Sequence, residues 1–220
     1  MSHHANVTIV YYSSTGTIHK LAEAVRDGAT DAGATVRLRQ ASETDPIEAI
    51  IGHRTWMRHR AATADVPHPT HDDVLWADAV VFGSPARFGN MAAQLKHFID
   101  GLAGLWHRDL LSDKVYSAFT STASLHGGQE STLLAMYSSV LHFGGMVVTP
   151  GFLGEVDEFV RNPYGASHFT RVDGSRPVDD AALAAARMQG RRVATMAAAL
   201  RAGRRSTLMS HPHYEPAGQP

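Results

Sequence analysis

Short β-branched apolar runs alternate with stretches whose apolar residues recur at helical spacing, and this alternation narrows the fold more than any other feature. The runs at 7–12, 35–38, 79–83, 115–119 and 146–148 read as strands. Between the first two lie Ile18, Leu21, Ala22 and Val25 at helical spacing, with Gly33 as a stop. Met91, Leu95, Phe98, Ile99 and Leu102 mark a second helix, and Leu133, Leu134, Tyr137, Val140 and Leu141 a third. Leu183, Ala186, Gly190, Val193, Ala194 and Ala197 form one stripe of a closing helix, small enough for close packing. The run at 79–83 is continuously apolar, as in a strand covered on both faces. The pattern predicts an α/β three-layer sandwich: a five-stranded parallel sheet, right-handed crossovers and helices on both faces. In such a sheet, ligands bind at the carboxyl ends of the strands.

Three stretches interrupt the alternation. Residues 41–73 are polar and rich in His and Arg, and read as a long excursion with one short helix. Residues 150–178, rich in Gly, Pro, Asp and Arg, read as an ordered loop. With no internal repeat and no second core, 1–202 is expected to form a single domain, and 203–220 a mobile tail.

Composition removes several function classes. The 220 residues carry 20 Lys plus Arg and 21 Asp plus Glu, a net charge of −1. No basic excess is present for nucleic acid or an anionic membrane. Cysteine is absent, which excludes thiolate nucleophiles, iron–sulfur clusters and disulfides and fits a reducing compartment. The amino-terminal residues lack an apolar signal core and no run approaches a membrane span, so the expectation is a soluble cytoplasmic protein.

Chemistry is concentrated in three loops after strands. The first is Ser13, Ser14, Thr15, Gly16, Thr17 and Ile18. A hydroxyl-rich, Gly-containing turn from a strand into a helix N-terminus is a phosphate cradle, because free amides and the helix dipole face the anion. It lacks both Gly-x-x-x-x-Gly-Lys and Gly-x-Gly-x-x-Gly, and a cradle without Lys suits a monophosphate. Simple N-capping by Thr15 or Thr17 is the plainer alternative. The second loop, 83–90, contains Pro85, Ala86, Arg87, Phe88 and Gly89; the third, 120–128, contains Thr120, Ser121, Thr122, Ala123, Ser124 and Leu125. Each alone is an ordinary turn. Three on one edge describe a pocket for a flat, phosphate-bearing ligand.

Six motifs occur in order: the cradle, Ser-Pro-Ala-Arg-Phe-Gly-Asn-Met from Ser84, Gly-Leu-Trp from Gly104, Ser-Thr-Ala-Ser-x-His-Gly-Gly-Gln-Glu from Ser121, Asn-Pro-Tyr-Gly-Ala from Asn162, and Asp-Gly-Ser-Arg-Pro from Asp173. From about residue 7 to 200 the chain resembles the WrbA family of FMN-dependent NAD(P)H:quinone oxidoreductases. The resemblance implies a flavodoxin-like fold of strand order 2-1-3-4-5, bound FMN, NADH or NADPH as donor, a quinone as acceptor, and a homotetramer built as a dimer of dimers. It implies that Ser13 through Ile18 hold the FMN phosphate, that Pro85, Ala86, Arg87, Phe88 and Gly89 edge the isoalloxazine, and that Thr120 through Leu125 line the ribityl chain and ring. It also makes Trp106 a substrate-site residue and His142 a residue facing the flavin, often from a neighbouring subunit. Thr15 and Thr17 stand where family members often carry Tyr and His, and Phe143-Gly144 where His-Gly is common.

The implied mechanism has two steps: NAD(P)H gives hydride to the flavin and leaves, then a quinone takes it in the same place. Arg87 would stabilise negative charge on the reduced ring, or else pair with Asp100 or Glu130 on the surface. Trp106 would wall the substrate, or pack in the core. His142 would donate to a quinone oxygen, or cap its helix. Tyr164 would close the pocket, or form a turn. The His pairs His68/His71, His211/His213 and His3/His4 lack a carboxylate at metal-binding spacing, so no metal is expected. The basic-aromatic run 53–60 fits nucleic acid, the 2′-phosphate of NADPH, a solvated loop or a subunit contact. No Gly-x-Ser-x-Gly elbow is present. Two other functions fit the scaffold: a flavodoxin-type electron carrier, which the near-neutral charge disfavours, and a regulatory flavin-binding protein without turnover.

Overall fold

The computed structural model describes residues 4–153 and 162–210. Five strands form the parallel core of the sheet: β1 (Asn6–Tyr11), β2 (Thr35–Gln40), β3 (Ala79–Arg87), β5 (Val115–Thr122) and β6 (Met146–Val147), in the order β2-β1-β3-β5-β6. Counted as the five expected strands, this is 2-1-3-4-5, as the family resemblance implies. A short β4 (Asn90–Met91) folds back antiparallel on the end of β3.

Side chains alternate across the sheet, so each inner strand feeds two cores. Val7, Ile9 and Tyr11 of β1 face one layer with α1 (Thr17–Asp31) and α8 (Asp180–Ser210). Val10 of β1 and Val80 and Phe82 of β3 face the other, with α5 (Ala93–Asp100), α6 (Ala103–Trp106) and α7 (Gln129–Phe143). Burial on both faces is why these strands read as unbroken apolar runs. Helices α1 and α8 pack with their backbones in near contact: a Cβ on Gly28 would lie 1.9 Å from the Arg187 carbonyl, and one on Gly190 2.0 Å from that of Val25.

Two interruptions are more ordered than their sequence implies. The excursion contains α2 (Ile47–Ile50) and α3 (Arg54–Ala62) and runs into α4 (His71–Trp76). Helix α4 opens with a reciprocal cap between Thr70 and Asp73. Asp73 is buried and also takes Arg37 and Arg39 from β2, which ties the excursion to the sheet edge. The stretch read as a loop supplies β7 (Ser167–Phe169), which pairs parallel with Thr120–Thr122 of β5 while β6 pairs with Val115 and Tyr116. The fifth sheet position is thus filled by two short strands. Helix α8 runs on to Ser210, past the boundary expected at 202; residues 211–220 lie outside the described residues.

Candidate functional site

Strands β1, β3 and β5 run parallel, so the loops that follow them leave the same edge of the sheet. The cradle follows β1. Gly16 is the N-cap of α1 with φ of 101°, a left-handed conformation that side chains disfavour. The side chains of Thr15 and Thr17 do not cap: α1 has no side-chain cap hydrogen bond. Inside the turn, the Gly16 amide donates to Ser13 Oγ at 3.1 Å. The first-turn amides of α1 have no intrahelical partners. This donor set, with the Ser14, Thr15 and Thr17 hydroxyls beside it, fits a phosphate monoester, and the residues present fit FMN at this end.

The second loop reaches the first. Arg87 Nη2 lies 3.4 Å from Ser14 Oγ, and Nη1 donates to the Ala86 carbonyl at 3.3 Å. Arg87 forms no ion pair among the described residues; Asp100 is taken by Lys96. Phe88 sits at the tip of the β3–β4 turn with φ of 54° and a fully exposed ring. Pro85, Ala86 and Gly89 complete this wall. Ser84 is buried beneath it, accepting from the Ala92 amide and donating to the Pro85 carbonyl.

The third loop is held against the second by the sheet. Ser84 pairs with Thr120 and Pro85 with Ser121 in register, and Thr120 Oγ1 donates to the Ser84 carbonyl at 2.7 Å. Thr122 Oγ1 donates to the Ser124 carbonyl and accepts from Gln129, which shapes the bend. Ala123, Ser124 and Leu125 are exposed on it. A Cβ on Gly128 would stand 3.0 Å from Gly89 Cα, so the second and third loops touch. A cavity of about 690 Å³ opens beside the third loop, lined in part by Leu125, Gln129, Phe169 and Arg176.

Trp106 and His142 are brought to each other, not to the loops. Trp106 Nε1 donates to the His142 carbonyl at 2.8 Å. Both are exposed and line a cleft of about 280 Å³ between α5 and α7. Helix α7 starts at the loop edge and His142 lies thirteen residues on, about 20 Å along the helix at 1.5 Å per residue. Within one chain these side chains do not reach the cradle. Tyr164 lends its backbone to the turn before β7: its amide donates to Asn162 Oδ1, its carbonyl accepts from Tyr137, and its ring is partly exposed.

The structure adds residues that no motif marks. Glu43, after β2, accepts from the Tyr12 hydroxyl, Trp56 Nε1 and Gln94 Nε2, linking four segments beside the cradle. Burial pushes its carboxyl up, but hydrogen bonds from the Asp45 amide, Gln94, Tyr12 and the Thr44 amide outweigh this and hold it below the usual range. Burial pushes the Tyr12 hydroxyl well above its ordinary value, and the bond to Glu43 adds to the effect. These partners lie 13 to 51 residues away in sequence, too far apart for spacing to show them. Gln189, fully buried in α8, donates to Ser117 Oγ and the Ala118 carbonyl and accepts from the Ala166 amide, fixing the middle of β5 below the third loop.

Among the described residues no cluster of three or more His, Asp or Glu is placed to hold a metal. His3, His211 and His213 lie outside the described residues. No described helix is long and apolar enough to cross a membrane.

The family model of NADPH-dependent FMN reductases matches residues 7–157. A protein of Methylocella silvestris named NAD(P)H dehydrogenase (quinone) is 43% identical over 202 residues, covering 90% of this chain and 99% of its own. One of the same name from Deinococcus radiodurans is 43% identical over 162 residues, covering 73% and 81%. Among solved structures, a WrbA-like flavodoxin protein from Agrobacterium tumefaciens superposes with a TM-score of 0.62 at 26% identity, over 88% of this chain and 97% of that one. An archaeal flavodoxin at 16% identity and a TM-score of 0.58 shares the fold. With the cradle and both flanking loops in place on a 2-1-3-4-5 sheet, the chain belongs to the NADPH-dependent FMN reductase family, in its WrbA branch of NAD(P)H:quinone oxidoreductases.

Proposed function

We propose that this protein passes two electrons as hydride from NADH or NADPH, through bound FMN, to a quinone. The observation that carries the reading is the convergence at one sheet edge of an uncapped, glycine-started α1 with the loops after β3 and β5. Ser13, Ser14, Thr15, Gly16, Thr17 and Ile18 hold the FMN phosphate through backbone amides and hydroxyls. Pro85, Ala86, Arg87, Phe88 and Gly89 form one wall for the ring, and Thr120, Ser121, Thr122, Ala123, Ser124 and Leu125 the other. When bound, FMN supplies a ring that accepts hydride from one substrate and returns it to the next. Arg87, whose guanidinium is committed to no carboxylate among the described residues, would offer positive charge beside the ring. The phosphate is anchored while the flat substrates exchange over the open ring.

Trp106 and His142 enter this reading from a second copy. They stand together at the far end of α7, where Leu141 is exposed, and Phe88 is bare at the loop edge. We read the assembly as a homotetramer, with the Trp106–His142 end of one subunit placed over the flavin of another. Trp106 then walls the substrate, His142 donates to its oxygen, and Tyr164 borders the opening. The donor and acceptor are small molecules, and nucleic acid has no part. The absence of cysteine, and of an apolar spanning helix among the described residues, supports a cytoplasmic location.

The test is reconstitution of the apoprotein with FMN under anaerobic conditions, followed by NADPH or NADH. Quenching of FMN fluorescence to saturation and bleaching of the flavin absorbance are expected. Saturable FMN binding with no bleaching by either nucleotide would overturn the reading.

A further inference from the structure

The basic run 53–60 is not used by the function proposed above. Most of it faces solvent, but His59 points the other way. It is 9% exposed on α3, and its Nε2 is buried with no hydrogen-bond partner. Native proteins rarely leave a buried donor unpaired, so the proton of a neutral ring belongs on the other nitrogen, Nδ1. His59 also makes no ion pair among the described residues.

The ring's other nitrogen faces the turn: His59 Nδ1 is the atom nearest to where a Cβ on Gly16 would sit, at 3.3 Å. The ring therefore fills the space behind the left-handed glycine that opens α1. The groups around it are few. His19 of α1 lies 5.5 Å away, centroid to centroid. His19 is engaged in turn by the Tyr11 hydroxyl and by Glu23, beside which stands Arg26. Burial, with the neighbouring His19, pushes the His59 pKa down to about 4, so the ring is neutral near pH 7 and carries one N–H.

Resting on the proposed FMN site, we propose that His59 is a positioning residue for the cofactor phosphate: it backs the Gly16 turn and adds its Nδ1–H to the donor field of the cradle. This assigns a role to the excursion between β2 and β3. Helix α3 delivers one side chain to the phosphate turn from outside the three loops. The basic residues of α3, Arg54, Arg58 and Arg60, are exposed, while His59 turns inward.

The test compares two flavins that differ only in the phosphate. FMN and riboflavin are titrated by fluorescence quenching into the wild type, His59→Phe and His59→Gln. Phe fills the space without an N–H, whereas Gln keeps a donor. The expected result is FMN affinity at least tenfold weaker in His59→Phe, riboflavin affinity unchanged, and His59→Gln within threefold of wild type for both. Unchanged FMN affinity in His59→Phe would overturn the proposal. So would an equal loss for both flavins in both variants, because that marks a purely structural role. Failure of the wild type to prefer FMN over riboflavin would instead defeat the assignment of the cradle, before any variant is compared.

Discussion

Helices α1 and α8 meet through two glycines, and replacing either with alanine should invert the usual helix rule. In an open helix Gly→Ala gains roughly 0.8–1.0 kcal/mol from propensity. At Gly190 the new methyl would begin 2.0 Å from the Val25 carbonyl oxygen, and at Gly28 1.9 Å from that of Arg187. Both obstacles are backbone, so neither can rotate away. Reaching an ordinary 3.4 Å at Gly190 means parting the helices by about 1.4 Å. A gap of that size forfeits more than a quarter to a half of the dispersion well for atoms lining it, and overpacking costs roughly 1–3 kcal/mol. The layer at risk contains Leu21, Ala22, Val25, Ala186, Val193 and Ala194. Net of propensity, Gly190→Ala is expected to lose up to about 2 kcal/mol, which for a chain of this size lowers Tm by up to roughly 8 °C. Gly28→Ala should match it, and the double variant should cost at least about 1 kcal/mol less than the sum, since one separation relieves both clashes. Gly203, on the same helix with nothing within 4 Å of its Cβ position, is the control: its Ala variant is expected to gain up to about 1 kcal/mol. Urea unfolding of the apoprotein measures all four without ligand linkage. Stabilisation by either tight-site alanine would refute the packing argument.

Other outcomes follow from the site and its supports. Asp73→Asn removes the charge shared by Arg37, Arg39 and the Thr70 cap, and is expected to cost about 2 kcal/mol in the same unfolding assay. Acid should destabilise the apoprotein through buried neutral histidines. His59, held at about 4, and His19, also held low by burial, bind protons more readily unfolded than folded. Their stabilising contribution is complete above the ordinary value of 6.5 and is lost as pH falls toward about 4. Stability measured across that window should decline less steeply in His59→Gln. Arg87→Ala should leave Tm within about 1 °C, because the side chain is exposed, yet lower kcat/KM for the nucleotide about tenfold, or ~1.4 kcal/mol.

The strands are legible because burial on both faces leaves them apolar throughout, whereas their order is implied only by the family resemblance. The Ala/Gly stripe of α8 announced close packing before its partner was visible. β7 was hidden because its three residues, Ser-His-Phe, pair only with the polar Thr120–Thr122 end of β5, so tertiary position and not composition makes the strand. α3 was hidden because its buried member is a histidine and three of its nine residues are arginines. The tail expected from residue 203 begins instead inside α8, which passes through Gly203 to Ser210. In the site, the loops were readable from hydroxyls and glycine beside strand ends. The Trp106–His142 pairing and the Glu43 hub join residues far apart in sequence, and local spacing carries no trace of them.

One FMN site is expected to serve both half-reactions as a two-electron exchange. It is tested by anaerobic mixing: FMN-loaded protein is reduced with one equivalent of NADPH or NADH, then titrated with benzoquinone. One equivalent of nucleotide is expected to bleach the flavin, and one equivalent of quinone to restore its absorbance fully. A flavin that the nucleotides bleach but benzoquinone does not restore would contradict it, as would recovery needing two equivalents of quinone.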